Sequence, residues 1–152
     1  MKSQETWFAE YAVSHQNELN QKIHYLCVPA IFFSIVGMIA SIPADALLHL
    51  IEINSPIFGN YATILLILLM LFYIRLSIKT FVLMAAFSIL SLYGSFYLSQ
   101  VAPLFISCLV IFVVAWIGQF YGHKVEGAKP SFLKDLQFLL IGPAWVFEKM
   151  TR

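Results

Sequence analysis

Three groups of polar residues carry spacings that suit metal chemistry. In "HQNELNQKIH", His15 and His24 flank Asn17 and Asn20 directly ahead of a long apolar run. In "WIGQFYGHKVEGAKP", Trp116, Gln119, His123 and Glu126 are three, four and three apart and so share one helical face. In "DALLHLIE", Asp45, His49 and Glu52 share a face at spacings of four and three. An imidazole with a carboxylate one turn away supplies a metal ligand together with a second ligand, or with the group that orients the first.

Taken singly, each group has a plainer explanation. The first two read as solvated polar residues at helix ends. The third reads as the wet face of a short amphipathic helix lying on a membrane, with Leu47, Leu48 and Ile51 beneath. His15 and His24 converge only if the chain breaks between them, because nine positions on one helix leave them half a turn out of phase. Ser14 and Asn17 are N-cap types, so an in-plane helix over about 6–14 followed by a new helix from near Asn17 would bring the two rings together.

The elements that must position these residues are set by lipid. The chain of 152 residues is 61% hydrophobic and 11% charged, against roughly 25% charged in soluble domains. So few charges cannot cover a surface in water. Runs over 25–42, 57–74, 80–98 and 104–121 are near the length that a ~30 Å hydrocarbon core demands. Pro43, Ser55-Pro56, the segment 75–79 and "SQVAP" separate them. Beyond Pro130, Phe132, Leu133, Leu136, Leu139 and Leu140 face away from Lys134, Asp135 and Gln137. This predicts an in-plane helix over 131–141, ended by Gly142-Pro143, with a last short helix carrying Glu148 after it. The expected fold is all-α: one domain, an integral membrane four-helix bundle with in-plane amphipathic helices at both ends.

Every Lys and Arg, nine in all, falls in the N-terminal segment, the loop after the second span or the C-terminal tail. The two opposite loops have none. The positive-inside rule then places both termini in the cytoplasm. His15, His24 and His123 come to one side and His49 to the other, so three of the four histidines can meet.

Other classes find no support. No basic cluster suggests nucleic acid, and "MKSQETWFAEYAVSHQ" lacks the uninterrupted apolar core of a signal peptide. Cys27 and Cys108 sit inside apolar runs, as packed thiols rather than a disulfide or a redox pair. There is no phosphate loop, nucleophile elbow, CxxC or HExxH motif. The spans carry no ionisable group near their middles, as an ion pathway would.

"HQNELNQKIHYLCVP" and "WIGQFYGHKVEGAKP" together resemble the membrane 2-hydroxy fatty acid dioxygenases, a family that converts phytosphingosine to odd-chain fatty acids and was once known only as a domain of unknown function. The matching positions are His15, Asn17, Asn20, His24 and Pro29, then Trp116, Gln119, Gly122 and His123, with Pro130, Pro143 and Glu148 in the tail. The resemblance covers essentially the whole chain, its middle spans in hydropathy alone. It implies an Fe(II)-dependent enzyme that uses O2 to shorten a 2-hydroxy fatty acid, or a related hydroxylated lipid, by one carbon. The implied iron ligands are His15, His24 and His123.

Imidazoles suit Fe(II) and leave positions open for O2 and a bidentate 2-hydroxy carboxylate. Asn17, Asn20 and Gln119 would accept imidazole N–H groups, with Glu126 and Glu148 as further supports. Lys124 or Lys129 would pair with the substrate carboxylate. The setting would be a bacterial inner membrane or the endoplasmic reticulum. The rival readings are a non-enzymatic lipid-binding scaffold and a zinc-dependent lipid hydrolase or isomerase.

Overall fold

The computed structural model describes residues 3–45, 55–127 and 132–151, with side chains described except at 132–139. His49, Glu52, Lys129, Pro130 and the amphipathic face expected over 132–139 lie outside the described residues or side chains. Among the described residues every regular element is helical: α1 (Gln4–Ala12), α2 (Glu18–Ala40), α3 (Tyr61–Leu76), α4 (Ile78–Val101), α5 (Leu104–Glu126) and α6 (Phe132–Met150).

Local chemistry sets the ends. Ser3 caps α1, its Oγ accepting from the Thr6 N–H at 3.2 Å. Asn17 caps α2, its Oδ1 accepting from the N–H groups of Leu19 and Asn20 at 2.9 and 3.3 Å. Asn60 does the same for α3 at Thr63 (3.1 Å) and Ser77 for α4 at Thr80 (3.0 Å). Each cap satisfies a backbone donor that the first turn cannot. α5 stops where Gly127 turns to φ 72°, the left-handed conformation glycine adopts freely at helix ends.

The α1–α2 break falls where the N-cap residues suggest. α2 starts at Glu18, beside the Asn17 from which the new helix is expected, and α5 extends past the expected apolar run to Glu126. Their polar ends stay helical because caps and packing, not hydropathy, terminate a helix. α3 is shorter than expected, beginning at Tyr61 because Asn60 is its cap. Among the described residues three helices, α2, α4 and α5, are long and apolar enough to cross a membrane, while α3 is a shorter apolar helix of 16 residues.

One expectation is corrected. α6 does not end at Gly142-Pro143 but continues through it to Met150. Proline removes a single backbone donor, and the surrounding ladder carries on. Gly142 serves close approach instead: a Cβ there would stand 3.1 Å from Tyr11 Oη and 3.4 Å from Val28 Cγ1.

The chain forms two compact units, Phe33–Phe112 and the pair of segments Met1–Phe32 and Val113–Arg152. In the first, α3 packs along α4, whose buried stripe runs through Thr80, Met84, Ser88, Ser91, Leu92 and Ser95. A Cβ on Gly37 would overlap Cys108 Sγ, so the glycine lets the helices that carry these residues touch.

In the second unit, the α2 and α5 segments approach at glycines. A Cβ on Gly118 would lie 2.6 Å from Cys27 Sγ, and one on Gly122 would overlap Asn20 Oδ1. Small residues permit this contact between apolar helices. Both thiols are free, as expected. Gly118→Ala is expected to lower the melting temperature in detergent by overpacking, of order 1–3 kcal/mol. Adding Cys27→Ala in the same chain, which removes the clashing sulfur, should restore most of that loss.

Candidate metal centre

The unit built from the two chain ends gathers three imidazoles. His15 lies in the turn between α1 and α2, His24 in the second turn of α2, and His123 near the end of α5. Their ring centroids are 4.3 Å (His15–His24), 5.1 Å (His24–His123) and 5.4 Å (His15–His123) apart. One nitrogen from each lies within 4.8 Å of the others. All three side chains are buried, at 3, 1 and 8% exposure. The break after α1 brings His15 round to His24, and α5 supplies His123 from more than ninety residues away.

Hydrogen bonds fix which nitrogen faces the centre. His15 Nδ1 lies 2.6 Å from the Tyr11 carbonyl, and His24 Nδ1 lies 2.8 Å from that of Asn20. A carbonyl only accepts, so both Nδ1 atoms carry the proton and both Nε2 atoms keep a lone pair. His15 Nε2 and His123 Nδ1 are buried without a hydrogen-bond partner. A buried polar atom left alone costs about 1–3 kcal/mol, and a cation held among the rings would remove that cost. Burial pushes the His15 imidazole down to about 4, because desolvation opposes its charged form more than the Tyr11 carbonyl favours it, and the neighbouring His123 pushes the same way. At neutral pH the ring is uncharged and free to bind a metal. The donor set fits a transition metal.

The surroundings differ in part from expectation. The imidazole N–H groups of His15 and His24 are held by the Tyr11 and Asn20 carbonyls, not by side chains of Asn17, Asn20 or Gln119. Asn17 is the helix cap. Asn20 donates from Nδ2 to the Ser14 carbonyl (3.2 Å) and to Glu126 (2.9 Å). Glu126 also accepts from the N–H groups of Gln16 (2.8 Å) and Asn17 (2.9 Å), so one carboxylate at the end of α5 ties down the turn that carries His15. Gln119 is buried one turn before His123. Glu148 is half-buried one turn after Trp145, and Lys124 is exposed.

Three further residues support the site; Tyr11 and Gln21 were missed in the sequence, whereas the tail anchored by Trp145 reads there as a flap able to roof the site. Tyr11 stacks on His15 at 4.1 Å with planes 5° apart. Trp145 lies 5.6 Å from the His15 ring and 5.0 Å from Tyr11. Gln21 donates to the His15 carbonyl at 2.7 Å. For Tyr11 the usable signal was its four-residue spacing from His15. Gln21 meets the site through tertiary packing that no local pattern announces.

A family model described as "2-hydroxy-palmitic acid dioxygenase Mpo1-like" matches residues 1–152. The chain belongs to this family. It is 30% identical over 138 residues to the 2-hydroxy-palmitic acid dioxygenase MPO1 of Saccharomyces cerevisiae, covering 90% of this chain and 72% of the yeast protein. No solved structure matches it.

Glu126→Ala is expected to weaken metal binding about 10–100-fold, the usual effect of losing support around a ligand, as read by metal titration of the purified protein. The metal-free protein should also lose stability as pH falls from about 6.5 towards 4. In that window the unfolded chain protonates His15 and the folded one does not. Melting temperature against pH measures this, and His15→Phe should make the profile shallower.

Proposed function

We propose that this protein is an Fe(II)-dependent dioxygenase that shortens a 2-hydroxy fatty acid by one carbon at the cytoplasmic face of a membrane. The observation that carries the reading is the buried trio of His15, His24 and His123, with two ring nitrogens lacking partners, in a chain of the 2-hydroxy-palmitic acid dioxygenase family. Those three residues would hold the metal. Ferrous iron bound there supplies O2 activation and coordination of the substrate's 2-hydroxy carboxylate at the positions three imidazoles leave open.

The chain's own residues do the rest. The Tyr11 and Asn20 carbonyls hold two rings by their Nδ1 protons and keep each Nε2 directed inward. Burial, the Tyr11–His15 stack and the Trp145 ring tilted against both keep water from the centre. Glu126 holds the His15 turn at the end of the helix that bears His123.

The membrane reading gives the site its depth. Four spans are proposed, from α2 to α5, with α3 the shortest at about 24 Å. Leu26, Leu68, Leu90, Val110 and Ile117 are exposed, as lipid-facing residues would be. An even count leaves every Lys and Arg on the cytoplasmic side, together with both termini and the three histidines. With the metal at headgroup depth the acyl tail stays in hydrocarbon. Lifting it into water would cost about 0.8 kcal/mol per CH2, on the order of 10 kcal/mol for a long chain.

A second reading, a zinc-dependent lipid hydrolase or isomerase, draws on the same donor set, because three imidazoles and one open position also suit catalytic zinc. Anaerobic loading with Fe(II) separates the two. The iron-loaded protein should consume O2 when 2-hydroxypalmitate is added and release the fatty acid one carbon shorter, detected by mass spectrometry. His123→Ala should abolish both metal binding and O2 uptake. Zinc retained through dialysis with no O2 uptake would favour the hydrolase, and a metal-free protein that still binds lipid would favour the scaffold.

A further inference from the structure

Gln119 is nine-tenths buried on α5, and its Nε2 finds no hydrogen-bond acceptor. It lies one turn before His123 on the same face of the helix, and that ring belongs to the imidazole cluster. Its level in the unit follows from the glycine contacts. Gly122 meets Asn20 and Ile23, and Gly118 meets Cys27 and Ile23. This antiparallel register sets Gln119 about level with the turn of α2 from His24 to Val28, one turn from His123 towards the apolar middles of both helices.

An amide N–H has no lone pair and cannot ligate a cation. The His15 and His123 nitrogens ask for a metal, and the Gln119 nitrogen asks for an oxygen. Among the described residues no Lys or Arg is buried, and Lys124 is exposed. A carboxylate entering beside the imidazoles therefore has the cation on one side and needs a neutral donor on the other. Hydrogen bonds to charged acceptors are the strong ones, so a carboxylate oxygen is the partner that most repays this donor's burial.

We propose that Gln119 anchors the substrate: its Nε2–H donates to a carboxylate oxygen of the 2-hydroxy acid and points the acyl tail away from the imidazoles, along α2 and α5. This inference rests on the functional reading above and adds the residue that recognises the head group. Lys124 and Lys129, the sequence-based candidates for that role, are not needed for it.

The test uses the full chain in detergent, loaded with zinc so that binding is read without turnover. Gln119→Met keeps the side chain's length and removes the donor. It should bind zinc like the parent and melt at the same temperature or higher, since an unsatisfied buried group is gone. It should bind 2-hydroxypalmitate at least tenfold more weakly, while affinity for 1,2-hexadecanediol, which has the tail and the hydroxyl but no carboxylate, stays unchanged. Gln119→Glu, which replaces the donor with a negative charge, should weaken 2-hydroxypalmitate binding further.

A lower melting temperature or lost zinc binding in Gln119→Met would make the amide a support of the fold or the metal site and overturn the proposal. Equal losses for acid and diol would overturn it too. If the parent binds 2-hydroxypalmitate and Gln119→Met binds it equally well, only this inference falls. If the parent binds none, the functional reading falls with it.

Discussion

Taking an imidazole nitrogen out of water without a hydrogen-bond partner is unfavourable, and two of the three buried rings, His15 and His123, are left in this state. The rest of the unit made from the chain ends follows from tolerating that cost. Two backbone carbonyls take the Nδ1 protons of His15 and His24. One face of His15 is filled by Tyr11, with Trp145 close by. The Glu126 carboxylate ties the turn between α1 and α2, and the start of α2, to the end of α5 through three hydrogen bonds. The arrangement is poor for stability and well suited to receiving a cation.

Much of this was legible in the sequence because it rests on local chemistry. The N-cap types Ser14 and Asn17 marked a helix break, and the break brings His15 to His24. The distribution of Lys and Arg grouped His15, His24 and His123, and these three do meet; His49, assigned to the other side, lies outside the described residues. What could not be read lies in tertiary contacts. Glu126 was expected to support the imidazoles, and it does so through the Asn20 amide and two backbone N–H groups, of which the last two leave no trace in side-chain spacing. Gly142-Pro143 looked like a helix stop, but Gly142 is there for the approach of Tyr11, 131 positions away. Hydropathy alone was a weaker guide to helix ends, because α5 carries on beyond its apolar run to Glu126.

Close approach through glycine recurs at each contact that matters to the site. Gly118 and Gly122 bring α5 against Cys27, Ile23 and Asn20, and Gly142 brings α6 to Tyr11 and Val28. Apolar helices in lipid gain little from hiding from one another, so the fit of one surface on another is left to hold them. The distances between imidazoles are therefore governed by residues that have no side chain at all.

The turn bearing His15 is anchored by a carboxylate 110 positions later in the chain. At ribosomal rates of about 5–20 residues per second, the N-terminal histidines emerge roughly five to twenty seconds before the helix that completes their set. During that interval no enclosed three-nitrogen cage exists to capture a stray ion. Under the proposed function, a metal ion could be enclosed by all three imidazoles only once α5 has been made, which sets the order of metal loading relative to synthesis of that helix.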